Sequence, residues 1–238
     1  MAKADLGIAA LESMPTLPSR NTRSSSSAAL IGTGAEALAR ISSLLSENPL
    51  MLNRLQAPSL VSPTIYKFVV YLSETMSSEE RQRIWALAEP LINSGRREEL
   101  EEARAYRLAD WAIREVLPLA IESSRQHGQD SACLRGLSPI RDKDTAQLAI
   151  VAGTASQSQA SKAGVQALAD CAFAAVRSAF MVIRCPESPS RCATIVSDSA
   201  TAAVSAGVDK KVLVEMKLLL IDELCSPRLE PQINSCPS

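Results

Sequence analysis

Three features of this 238-residue chain predict an all-α protein. Apolar residues recur at three- and four-residue steps in one stretch after another, from about residue 32 to residue 226. Many of those stretches open on a Ser, Thr, Asn or Asp followed by Pro or by a Glu or Gln three residues on, which are helix-start signals. No alternation of strand-like and helix-like patterns is present, and no motif repeats at a fixed period. The predicted architecture is a single compact multi-helix bundle or irregular helical array of about seven to eight helices. Residues 1–31 read as a flexible arm, because "PTLPSRNTRSSSS" has no apolar period with which to bury surface. Residues 227–238 read as a flexible tail for the same reason. Between them, residues 32–226 form the helical domain, with an aromatic-containing half at 32–128 and an alanine-rich half at 140–226.

The elements follow in order. Thr33 and Glu36 have capping-box spacing, and Leu38, Ile41 and Leu45 continue the period. Asn48 and Pro49 open a short helix carrying Leu50 and Leu52. Ser62 and Pro63 repeat that signal ahead of Ile65, Phe68, Val69, Leu72 and Met76, although "TIYKFVVYL" also contains many strand formers. Ser77 and Glu80 form another capping box, followed by Ile84, Leu87, Ala88 and Leu91, with Gly95 as the stop. The charged run "RREELEEAR" reads as a solvated helix face whose charges support one another at i, i+4. Asp144 with Gln147 opens a helix over "TAQLAIVAG". A longer helix is expected over "SKAGVQALADCAFAAVRSAFMVI", with Val165, Leu168, Ala172, Val176, Phe180 and Ile183 on one face, ended by Cys185-Pro186. Residues 191–206 give a smaller helix stopped by Gly207, and Asp209 caps "KKVLVEMKLLLIDELC".

The segment "RLADWAIREVLPLAIESSRQHG" (107–128) reads as the central helix. Arg107, Asp110, Arg114, Pro118, Glu122 and Arg125 share one narrow stripe, and nearly every other position is apolar. A helix apolar around most of its girth is wrapped by neighbours. Pro118 cannot donate to the carbonyl of Arg114 and should kink the helix, with water satisfying that carbonyl on an exposed stripe. Asp110 can pair with Arg107 and Arg114, and exposed pairs of this kind contribute only a few tenths of a kcal/mol.

Composition excludes several functions. Net charge is −1, and neither half is basic: 14 Lys/Arg oppose 16 Asp/Glu up to residue 130, and 11 oppose 10 after it. No phosphate-neutralising surface is indicated, and aromatics at 3% offer few platforms for bases, so nucleic-acid binding is not expected. No run approaches the roughly 20 apolar residues of a membrane span, and no signal peptide is visible, so a cytoplasmic location is expected. There the six cysteines are thiols by default. Cys185 and Cys192, at C-x6-C spacing, leave a disulfide open as the alternative.

Motifs that could carry chemistry fit poorly. Gly32, Gly34 and Ala37 match G-x-G-x-x-A, but no strand precedes them and no acidic residue follows about 20 positions on, so they read as a glycine turn before a capped helix. The cysteines lack the paired C-x2-4-C spacing of zinc sites. His127, the only histidine, excludes any E-x-x-H pair and leaves a triad just one candidate base. Glu98, Glu99, Glu101 and Glu102 alternate with arginines as a solvated face does. No cofactor or metal is expected, and no catalytic set converges.

"LADWAIREVLPLAIE", a variable link and the alanine-rich "QALADCAFAAVRSAF" (roughly residues 103–184) resemble a group of bacterial all-helical toxin-immunity proteins. That resemblance implies partner binding rather than catalysis and supplies no site residues. The leading expectation is a non-enzymatic interaction protein that sequesters or neutralises another protein. The rival is a helical enzyme or small-ligand binder with an anion-binding pocket between the two halves, using Arg107, Asp110 and Arg114. A third option is a homo-oligomer with "VLVEMKLLLIDELC" as the seam.

Overall fold

The computed structural model describes residues 61–73, 76–85, 87, 90–91, 94–96, 98–124 and 131–226. Of these, 81% are helical and none lies in a strand, which establishes the all-α class. The expected arm and tail, the helices around Leu38–Leu45 and Leu50–Leu52, the Gly32-Gly34-Ala37 motif, Arg125 and His127 lie outside the described residues.

Helix α1 (Pro63–Ser73) begins as the sequence predicts: the Ser62 hydroxyl accepts from the Ile65 N–H at 3.2 Å. Its strand formers do not prevent the helix, because Ile65 and Phe68 fall on one face and are fully buried there. Tertiary burial outweighs the small propensity penalty of β-branched residues. Helix α2 (Ser78–Trp85) carries the expected capping box, with the Ser77 N–H on the Glu80 carboxylate at 2.6 Å and the Glu80 N–H on the Ser77 hydroxyl at 3.2 Å. Residues 90–91 are helical, and Gly95 lies just beyond them inside a 3-10 turn, Ser94–Arg96, which is followed by a second, Glu98–Leu100.

The central helix runs without a break through α3 (Glu101–Asp110), a π-helical turn (Trp111–Val116) and α4 (Leu117–Ser123). The expected kink takes the form of that π turn. Pro118 offers no N–H and its ring crowds the carbonyl of Arg114, so the preceding turn widens and the Leu117 N–H reaches back to the Ala112 carbonyl. Pro118 is buried, as is Asp110 at 4% exposure, so the stripe is not the open one anticipated. Trp111 is fully buried, with Phe68 of α1 edge-on at 6.0 Å and 82°. Burial of such large side chains, at roughly 1.5–3 kcal/mol each, fixes the helix in the core.

After the short α5 (Ser131–Arg135) come three long helices packed in succession: α6 (Lys143–Lys162), α7 (Gln166–Arg184) and α8 (Arg191–Ser205). Helix α6 starts earlier than Asp144/Gln147 spacing suggests. Its cap is Asp142, whose carboxylate accepts from the Thr145 N–H at 2.8 Å while the Asp142 N–H donates to the Thr145 hydroxyl at 3.2 Å. It also absorbs Ser161 and Lys162 of "SKAG", ending where Gly164 turns the chain at φ 73°, with Val165 N–H on the Ala160 carbonyl. Gly207, at φ 106°, ends α8 in the same way and brings the chain against the Ser123 carbonyl. Helix α9 (Lys210–Cys225) is capped by Asp209, as expected, and packs on α1 and α2.

Helices α7 and α8 both lie against the central helix, and one continuous apolar core joins the aromatic and alanine-rich halves. In the later half that core is built from small groups. Gly153 of α6 lets Val176 of α7 approach so closely that an added Cβ would sit 2.6 Å from its Cγ2. Helix α7 is also long and apolar enough to cross a membrane by length and composition, a run the sequence expectation did not credit. More than half of that stretch is buried among its neighbours, as a core helix is.

Candidate functional site

Arg107, Asp110 and Arg114 come together on the central helix. The Asp110 carboxylate accepts from Arg114 Nη1 at 3.1 and 3.2 Å, from Arg107 Nη1 at 3.4 Å, and from the Ile140 backbone N–H at 2.9 Å. The last contact ties the segment before α6 to the central helix. Arg107 reaches further, gripping both oxygens of Glu223 on α9 at 2.8 and 2.7 Å and Glu115 at 2.9 Å. Burial opposes the charge on Arg107, but the carboxylates of Glu223, Glu115 and Asp110 more than offset it and hold the guanidinium protonated above the usual arginine range. With three carboxylates around it, Arg107 works as a cross-link between the central helix and α9. The Nε of Arg114 is buried and has no hydrogen-bond partner among the described residues.

A second polar centre was not anticipated. Arg104 lies in the charged run read as a solvated face, yet it is fully buried. Its Nε donates to the Leu224 carbonyl in the last turn of α9 at 3.1 Å, Nη1 to Glu101 at 2.6 Å, and Nη2 to the Ser94 carbonyl at 3.0 Å. Glu101 passes the link on by accepting from the Thr64 N–H at 3.0 Å, and the Ser94 hydroxyl accepts from the Ser62 N–H at 3.0 Å. One guanidinium thereby joins the start of α1, the 3-10 turn and the end of α9. The periodic run of acids and arginines gave no sign of this. The one available signal is the position of Arg104 on the same helical face as Leu100 and Leu108, both buried.

Helix α9 adds a third feature. Lys217 is buried at 6% exposure and forms no ion pair among the described residues. Burial, with Lys210 adding repulsion and Glu80 opposing it in part, pulls its amine down to about 8. The adjoining α2–α9 contact is ionic, with Arg83 bidentate on Glu215 and Lys210 3.7 Å from Glu80.

Cys133, Cys171, Cys185, Cys192 and Cys225 are all free thiols, so Cys185 and Cys192 are not joined. Burial pushes the Cys171 and Cys225 thiols up to about 12 and raises Cys192 as well, which keeps all three protonated and unreactive. No group of three or more His, Cys, Asp or Glu among the described residues is placed to hold a metal.

The outer faces are apolar in two places. Leu148 and Val151 on α6 are 65% and 59% exposed, and Val212 and Leu219 on α9 are 45% and 71% exposed. Compared with known proteins, the chain matches no family model, and neither a curated protein nor a solved structure matches it.

Proposed function

We propose that this chain is a non-enzymatic interaction protein that binds and neutralises a partner protein, in the manner of an immunity, anti-defence or inhibitor-type factor. The observation that carries this reading is the apolar stripe on the outside of α9. Val212 and Leu219 are exposed at i and i+7, with Met216 at i+4 between them half-buried against the core, and Leu219 is the most exposed large hydrophobic residue described. A helix that presents such a stripe from a rigid core offers the anchors with which helical faces enter apolar grooves. Glu215 and Glu223, at the rim of the stripe, are held in place by Arg83 and Arg107, so the surface is preorganised. The test is affinity capture under native conditions with the full chain and with Leu219→Glu. The reading expects a stoichiometric protein partner that the wild type retains and the variant loses while keeping its helical circular dichroism. Equal capture by both, or none by either, counts against it.

The spare Nε of Arg114 favours a second reading, a small-anion binder. A saturable rise in melting temperature with carboxylates or phosphates, lost in Arg114→Ala, would support it over the first.

A further inference from the structure

We infer that the outer face of α6 binds the same face of a second copy of this chain, antiparallel, around a two-fold axis. On the side of α6 opposite α7, the exposed positions Asp144, Leu148, Val151, Ala155, Ser158 and Lys162 follow steps of four, three, four, three and four residues. That is the spacing of a coiled-coil seam. It lies opposite the buried Ala146, Ile150, Gly153 and Ala160, which face the protein's own core.

The seam is self-complementary in size. A two-fold axis at the level of residue 153 places Leu148 against Ser158 of the second copy and Val151 against Ala155. Each large side chain meets a small one, as knobs-into-holes packing and close helix approach require. It is self-complementary in charge as well. No charged residue occurs between Asp144 and Lys162. Neither of these two makes an ion pair among the described residues, and the same axis sets each against the other at both ends of the seam. A parallel pairing would oppose Asp144 to Asp144 and Lys162 to Lys162. The isologous interface that follows is the commonest symmetry of soluble oligomers. A contact along one helix, about 27 Å from Asp144 to Lys162, is smaller than a standard interface, so the dimer should be reversible, with dissociation in about the micromolar range. The inference does not rest on a heterologous partner at α9 and stands or falls separately from it.

Sedimentation velocity on the purified full-length chain tests it, across about 1 to 300 μM to bracket that range. The wild type is expected to pass from monomer to dimer over this range. Leu148→Glu, whose side chain is exposed and whose substitution should leave the helical spectrum intact, is expected to stay monomeric. Asp144→Lys and Lys162→Asp singly should each weaken the dimer at least tenfold, because each places like charges together at both ends. The double variant carrying both should recover wild-type association, which a merely sticky apolar patch would not do. A wild type that remains monomeric throughout overturns the inference. So does a dimer that Leu148→Glu leaves unchanged, or one that the paired charge reversal fails to restore.

Discussion

Arg104 and Lys217 are both buried cations on a chain of balanced charge, and they behave oppositely because one is satisfied and the other is not. Arg104 spreads its charge over a carboxylate and two backbone carbonyls, including one in the last turn of α9. Removing it leaves Glu101 half-buried without its cation and two carbonyls without donors. Arg104→Ala should therefore cost about 3–5 kcal/mol in chemical denaturation, and Arg104→Lys should recover little, since an ammonium cannot span the three acceptors. Lys217 has no such partner among the described residues. Its folded-state value of about 8 lies below the ordinary lysine value of 10.5, so folding disfavours its charge. That cost is fully present below about pH 8 and fades as pH rises toward 10.5, so this group makes the protein more stable with rising pH across that window. Lys217→Met should raise the melting temperature at pH 7, by an amount equivalent to about 2 kcal/mol, and the gain should shrink toward pH 10. Neither environment was legible in the sequence. A lysine within "VEMKLLLI" and an arginine within "EEARAYR" read as surface charges until tertiary neighbours are known.

At the scale of elements, most of the fold was legible. Caps at Ser62, Ser77 and Asp209, and the stops at Gly207 and Cys185-Pro186, are local signals that depend on backbone hydrogen bonds nearby. The α6 start was misplaced by a residue or two because Asp142–Thr145 and Asp144–Gln147 both have suitable spacing, and only the former makes the bonds. The π turn at Trp111–Val116 was visible only as a proline, since how a helix relieves a missing donor depends on what wraps it. Gly153 sits without a motif of its own in the alanine-rich half, and its role depends on α7 being the neighbour. Gly153→Ala gains about 1 kcal/mol of helix propensity but drives Val176 aside, at a typical overpacking cost of about 1–3 kcal/mol. A net loss of stability is expected. Val176→Ala in the same chain should recover part of it, so that the two substitutions are less damaging together than their sum in a thermal-melt cycle.

At the scale of the molecule, the polar residues of the central helix and the apolar residues of the outer helices exchange the roles their types suggest. Arg107, Asp110 and Arg114, the candidate site in the sequence, tie the central helix to α9 and to the segment before α6. Both proposals place recognition on the outer stripes of α6 and α9. The sequence pointed to α9 as a possible seam, whereas "TAQLAIVAG" was legible only as a helix. Its outward heptad emerges only once α7 is seen to cover the other face. Carbene or hydroxyl-radical footprinting of the full chain at low and high protein concentration tests this division of roles most directly. The account predicts that Leu148 and Val151 lose labelling as concentration rises, while residues beside Arg107 and Arg114 do not change. Labelling of Leu148 and Val151 that stays constant, or protection centred on Arg114 instead, would contradict it.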